Sequence, residues 1–184
     1  MYFGLVHYPK IIHKGFQSFR QTYEPYYALI PAHVTFIHPV PEIVGRKKLE
    51  EHIEKVLSDW QPFKVHFYTI EKTWDHWLYI GAEEGHSSVV GLHDNLYEGM
   101  LGPYLREDLP FYPHIALGLF SKEAYDFDNP TAELSLDGDR YRQARKEFED
   151  LGFDLWCTID RLTLVKINSD YTECTDLRNF VIES

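Results

Sequence analysis

The sequence predicts an α+β fold of two similar αβ lobes related by a pseudo-twofold axis. The predicted elements between residues 33 and 80 follow the order strand, helix, strand, strand, and those between 114 and 182 repeat that order. Each series begins with a strand that starts at a histidine. A repeated order of this kind indicates internal duplication. We therefore expect one domain over residues 1–184, with internal repeats at about 26–82 and 106–183.

The elements of the first half follow from apolar spacing and from proline. A short β-prone run at 2–8 precedes a series of apolar residues at helical spacing between Ile12 and Tyr23. Residues 33–38 are predicted to form a strand that Pro39 and Pro41 terminate. The pattern then predicts a helix at about 45–58 and a hairpin of two strands at 63–69 and 76–80.

The second half is predicted in the same way. Glu83 and Glu84 favour the start of a helix whose apolar residues run from Val89 to Met100. A short apolar strand at 114–120 follows, and residues 121–138 have the composition of a loop. The remaining predicted elements are a helix at about 139–150 and two strands at about 153–167 and 174–182.

Charge and composition restrict the classes of partner. The chain has 18 Lys and Arg against 29 Asp and Glu, a formal net charge of −11. This charge disfavours tight binding of duplex DNA but permits a small phosphorylated ligand or the end of an RNA strand. Only two cysteines occur, and the sequence shows neither a signal-peptide pattern nor a membrane-length apolar run. We expect a cytoplasmic monomer with no membrane contact.

The two histidine strands have a matching pattern. Strand periodicity places His33 and Thr35 on one face, opposite Val34 and Phe36. In the second strand His114, Ala116 and Gly118 share a face opposite Ile115, Leu117 and Leu119. We expect these strands to be adjacent and central, with both histidine rings in one cleft.

The segments Pro31-Ala32-His33-Val34-Thr35-Phe36 and Tyr112-Pro113-His114-Ile115-Ala116-Leu117 resemble the His-x-Thr/Ser-x motifs of the two-histidine (2H) phosphoesterase superfamily. This superfamily includes the 2′-5′ RNA ligases and cyclic nucleotide phosphodiesterases. The resemblance covers nearly the whole chain. It implies two lobes with mainly antiparallel sheets that line a central cleft.

The resemblance also implies an activity. His33 and His114 would act as acid and base, without metal or cofactor, on a 2′,3′-cyclic phosphate or a related small nucleotide or RNA-end phosphodiester. Which histidine is the acid stays open. The motif hydroxyl helps to hold the phosphate in this superfamily, and Thr35 matches that position. Ala116 departs from it, since alanine has no hydroxyl.

Several alternatives stand beside this interpretation. Ala116 favours a non-catalytic or weakly active module that binds a phosphorylated ligand, and the histidines could also be structural. Tyr112 and Lys166 could contact a base and a phosphate, but packing for Tyr112 and solvation for Lys166 are favoured, and neither is predicted to be catalytic. A metal site at His33 and His38 is disfavoured, because five residues apart in a regular strand they face opposite sides. The acidic loop at 126–139 lacks a calcium-binding pattern.

Overall fold

The computed structural model describes residues 1–106, 110–123 and 134–183. Within these residues, eight strands form two antiparallel four-stranded sheets, in the orders β2-β1-β7-β8 and β5-β4-β3-β6. The strands are β1 (Tyr2–His7), β2 (Val34–Pro41), β3 (Phe63–Lys72), β4 (Trp77–Ala82), β5 (His114–Leu119), β6 (Leu155–Ile159), β7 (Arg161–Ile167) and β8 (Cys174–Val181). The predicted α+β class with mainly antiparallel sheets is confirmed.

In the described part of the chain, four α-helices accompany the sheets: α1 (Lys14–Tyr23), α2 (Arg46–Leu57), α3 (His86–Tyr97) and α4 (Gly138–Asp150), with short 3₁₀ segments at Glu42–Val44 and Gly99–Tyr104. Each helix agrees with its predicted range to within a few residues. The helix beginning near Glu83 starts slightly later, after Gly85. Gly85 has φ +81°, and an added Cβ would lie 2.2 Å from the Lys64 carbonyl oxygen, so both backbone conformation and space favour glycine.

The helices pack across the two halves of the chain. Helix α1 follows β1 but packs on β5, while α3 follows β4 but packs on β2. The core between these layers contains fully buried residues from both sheets, including Leu5, Phe36, Phe67 and Leu117. This crossed packing connects the position of each histidine strand to a helix from the opposite half.

Both histidine strands lie at sheet edges, which corrects the expectation that they are central. β2 and β5 occupy the first position of their sheets and approach each other across the junction. Edge placement also explains why Pro39 and Pro41 lie within β2 instead of ending it, since an edge strand has one side without ladder partners. The edges of the two sheets therefore bring the histidine motifs together.

One predicted strand is wrong in its extent. The range 153–167 contains two strands, β6 and β7, which separate at Asp160 and enter different sheets. β6 lies beside β3 in the second sheet. β7 is the third strand in the order of the first sheet, as β3 is in the second. The repeat limits at about 26–82 and 106–183 stay a prediction. Most of the predicted acidic loop, residues 124–133, lies outside the described residues.

None of the helices in the described part of the chain is long and apolar enough to cross a membrane.

Candidate active site

The two histidine motifs present the same alternation of side chains at the junction between the sheets. His33, immediately before β2, and Thr35 are partly exposed, whereas Val34 and Phe36 are fully buried. In β5, His114 and Ala116 are partly exposed, and Ile115 and Leu117 are fully buried. The apolar side of each strand contributes to the core, which leaves the histidine side facing the cleft.

A strand irregularity follows each motif at the same position. Thr35 pairs with Val6 and Ile37 pairs with Leu5, so Phe36 is an extra residue in β2. The second strand has the same arrangement: Ala116 pairs with Tyr79 and Gly118 with Leu78, which leaves Leu117 extra. A β-bulge three residues after each histidine reverses the side-chain phase of the strand beyond it. This matched position is residue-level support for the pseudo-twofold relation.

The first bulge brings a third histidine to the cleft side. Phe36 and Ile37 are both buried, and the reversed phase places His38 on the same face as Thr35. The prediction that His33 and His38 face opposite sides is therefore wrong, because it assumes a regular strand. His38 interacts electrostatically with both His114 and His33. Two consecutive large apolar residues after the motif were the sequence signal for the bulge.

The second bulge removes Gly118 from the cleft face, where strand periodicity had placed it. Gly118 is buried with Leu78, and a Cβ added to it would lie 2.7 Å from the Tyr23 Cβ and 2.9 Å from the Tyr23 carbonyl oxygen. Its lack of a side chain allows α1 to approach β5 closely. Gly118 is thus a packing residue and provides no space beside Ala116.

Both motif histidines are held by the same hydrogen bond. The Nδ1 of His33 lies 2.8 Å from the Pro31 carbonyl oxygen, and the Nδ1 of His114 lies 2.5 Å from the Tyr112 carbonyl oxygen. A carbonyl oxygen only accepts, so Nδ1 carries the proton in each ring. Each Nε2 is therefore the nitrogen whose protonation changes, and it can accept or donate a proton.

The surrounding charges differ between the two rings. Desolvation lowers the pKa of His33 to about 4, with smaller contributions in the same direction from the Arg20 guanidinium and His114 and an opposing one from the Pro31 hydrogen bond. Desolvation also lowers the pKa of His114, but the Asp75 carboxylate opposes this effect. Both rings keep some accessible surface, so the desolvation comes from crowding within the cleft and not from a sealed core. The protonated form is better supported at His114 than at His33.

His38 belongs to a cluster with Phe111, His93 and Tyr97. Its ring centroid lies 6.3 Å from that of Phe111, edge to face, and Phe111 stacks on His93 at 3.7 Å. The Tyr97 hydroxyl accepts a 3.0 Å hydrogen bond from the His38 backbone N–H. Desolvation of the ring, followed by the neighbouring His114 and His93, lowers the pKa of His38 to about 4, although the residue as a whole is exposed. At neutral pH it can therefore supply a neutral N–H donor.

The other residues considered from the sequence have different environments. Tyr112 is 51% exposed and contributes its carbonyl oxygen to the His114 hydrogen bond. Lys166 forms a 2.8 Å ion pair with Glu42, which is not part of either motif. Over residues 1–106, 110–123 and 134–183, no cluster of three or more His, Cys, Asp or Glu side chains has the arrangement of a metal site.

Two antiparallel sheets that bring matched histidine motifs to one junction agree with the architecture that the resemblance to the two-histidine phosphoesterases implies. Comparison with known proteins supports the same class: the family model described as the 2′-5′ RNA ligase superfamily matches residues 8–170. The chain belongs to this superfamily.

Individual relatives agree with this assignment. A Geobacillus thermodenitrificans protein, whose name assigns it provisionally to the phosphoesterases, is 27% identical over 172 residues, covering 90% of this chain and 87% of that protein. The structure of TT0787 from Thermus thermophilus superimposes with a TM-score of 0.62 and 16% identity, covering 99% of this chain and 98% of that one. Escherichia coli LigT complexed with 3′-AMP has a TM-score of 0.57 and 15% identity, covering 100% of this chain and 97% of that one. The two structures show a shared fold.

Proposed function

We propose that the chain is a metal-independent phosphoesterase that acts on a 2′,3′-cyclic phosphate or a related small nucleotide or RNA-end phosphodiester. The observation that carries the proposal is the matched pair of Nδ1 hydrogen bonds at His33 and His114. These bonds direct the reactive nitrogen of each ring away from the backbone, on strands that meet at the cleft. The complex of LigT with 3′-AMP supports a nucleotide as the ligand class.

The proposed reaction needs one proton acceptor and one proton donor. A neutral imidazole takes a proton from water while the water oxygen bonds to phosphorus. The phosphorus bond to one ribose oxygen then breaks, and the second, protonated imidazole donates its proton to that leaving oxygen. Thr35 donates to a phosphate oxygen and stabilises the charge that develops on the phosphorane.

We assign the base to His33 and the acid to His114. Arg20 disfavours a proton on His33, which suits a group that must be neutral before it accepts one. Asp75 favours a proton on His114, which suits the donor to the leaving oxygen. This difference between the two environments supports separate roles for two rings that the sequence alone leaves equivalent.

The substitution Asp75→Asn tests this assignment through the pH profile of kcat/KM. Removing the carboxylate lowers the pKa of His114, so we expect the alkaline limb to move to lower pH while the acidic limb is unchanged. Asp139→Asn is the matched control, since its side chain is 96% exposed on α4, and it should move neither limb. Movement of the acidic limb alone would reverse the assignment, and a profile identical to that of the wild type would refute it.

A second candidate function is a non-catalytic or weakly active module that binds a phosphorylated ligand. Ala116 favours it, because the second motif offers no hydroxyl to the phosphate. A panel of 2′,3′-cyclic nucleotides and short RNAs with a 2′,3′-cyclic phosphate distinguishes the two candidates, with the position of the product phosphate determined. Turnover of any member supports the enzyme, whereas saturable binding without turnover supports the module.

A further inference from the structure

We propose that the second sheet carries a stacking site for the bases of single-stranded RNA, formed by Tyr68, His66 and Trp156. We call these three residues the aromatic ladder. The inference rests on the proposed function and narrows its substrate, because it favours an RNA end over a free mononucleotide.

The aromatic ladder is built from neighbouring strands. The rings of His66 and Trp156 stack with centroids 4.4 Å apart and an interplanar angle of 3°, and Tyr68 stacks against His66 at 5.5 Å and 24°. A 2.7 Å hydrogen bond from His66 Nε2 to Asp154 Oδ1 fixes the middle ring. The outer members, Trp156 and Tyr68, are 50% and 54% exposed. The ladder therefore presents ordered aromatic surface to solvent.

The ladder lies on the same face of the sheet as His114. Residues paired across strands share a face, and the pairing runs from His114 to Gly81 and from Gly81 to Thr69. Between Thr69 and Phe67 the pairing of β3 with β4 shifts by one residue, which reverses the side-chain phase of β3. Phe67 is therefore buried in the core, and His66 lies on the same face as His114. His66 pairs directly with Trp156. One continuous sheet face thus joins the cleft to the aromatic ladder.

The distance along this face determines what kind of ligand could use both sites. Trp156 is three strands from β5, which corresponds to roughly 14 Å across the sheet. His66 is three residues along β3 from Thr69, or roughly 10 Å along the strand. A nucleoside whose phosphate lies at the histidines is too short to reach Trp156. The preceding nucleotides of an RNA chain can reach it.

The chemistry of this face favours stacking over charge. Aromatic side chains bind bases of any sequence through their π faces. Lys64 is exposed on the same side of β3, but Asp154 is also adjacent, and the whole chain carries a net charge of −11. We therefore expect a modest contribution per base with a weak dependence on salt.

The test compares a tetranucleotide ending in a 2′,3′-cyclic phosphate with adenosine 2′,3′-cyclic phosphate. Loss of one stacking platform typically weakens binding by about five- to a hundredfold. Trp156→Ala should raise KM for the tetranucleotide by such a factor and leave mononucleotide kinetics unchanged. Trp156→Phe should raise KM for the tetranucleotide much less than Trp156→Ala does. Val181→Ala is the control, because Val181 is 60% exposed on the edge strand of the other sheet.

A binding measurement separates this inference from the proposed activity. The His33→Ala/His114→Ala protein is titrated with a fluorescently labelled tetranucleotide bearing a 3′-phosphate, with and without Trp156→Ala. Weaker tetranucleotide binding in the Trp156→Ala protein supports the ladder even if no phosphoester is turned over by the wild type. Equal affinity with and without Trp156, or no preference for the tetranucleotide over 3′-AMP, overturns it. A lack of preference for the tetranucleotide over 3′-AMP would point to a protein partner for this face of the sheet.

Discussion

The close approach of α1 to β5 predicts a large effect for a small substitution, Gly118→Ala. The added methyl would meet the Cβ and the carbonyl oxygen of Tyr23 at 2.7 and 2.9 Å, and the Phe120 ring at 3.1 Å. One of these atoms belongs to the backbone, so rotation of a side chain cannot relieve the overlap. Overpacking of this kind costs about 1–3 kcal/mol, which corresponds to a decrease in Tm of roughly 2–12 °C for a chain of this length.

Chemical and thermal denaturation of the purified variants measure this effect directly. Gly138→Ala is the matched control, because its added methyl meets only the Nη1 and Cζ atoms of Arg142, on an exposed and flexible side chain. We expect the control to be as stable as the wild type or slightly more stable. The Gly118→Ala variant should also lose turnover, because displacement of β5 moves His114. If Gly118→Ala is as stable as Gly138→Ala, the crossed packing of α1 on β5 is wrong.

Three further predictions concern the cleft. Ala116→Ser should raise turnover of a cyclic phosphate by roughly ten- to a hundredfold, since a hydroxyl aimed at the charge on the phosphorane adds a charge-assisted hydrogen bond. Unchanged kinetics would mean that His38 or another donor already binds the same phosphate oxygen. Because the pKa of His33 falls from 6.5 to about 4 on folding, the stability that depends on its neutral ring is present above pH 6.5 and is lost as pH falls toward 4. That contribution is at most about 3 kcal/mol. In urea titrations, the free energy of unfolding of His33→Gln should depend less on pH than that of the wild type. Parallel pH dependences of the two proteins would contradict the lowered pKa of His33. Activity should persist in excess chelator, and inhibition that added divalent metal reverses would favour a metal mechanism.

The regular parts of the structure could be predicted because their signals are local. Helices α2 and α4 follow from apolar residues at helical spacing, and the alternation in His33-Val34-Thr35-Phe36 correctly separates buried from cleft-facing residues. The repeated order is correct for the histidine strand and the helix that begin each series, whereas three strands, and not two, follow α4. The motif pair could be found because the residues of each motif are adjacent in sequence.

The features that were missed depend on contacts distant in sequence. The bulges at Phe36 and Leu117 arise from pairing with β1 and β4, and they reverse the side-chain phase that would keep His38 off the cleft face and Gly118 on it. The break at Asp160 separates two strands that join different sheets, a choice that local β-propensity does not specify. The different charges near His33 and His114 come from Arg20 and Asp75, on other elements of the fold.

The central claim is that His33 and His114 act as one unit on a single phosphate. Single-turnover rates on adenosine 2′,3′-cyclic phosphate, measured for the wild type, His33→Ala, His114→Ala and the double variant, test it most directly. We expect each single substitution to lower the rate by about 10² to 10⁴-fold, and the double variant to be little slower than the worse single variant, because residues that act together are strongly non-additive. Substantial turnover in either single variant, or losses that multiply in the double variant, would contradict the account.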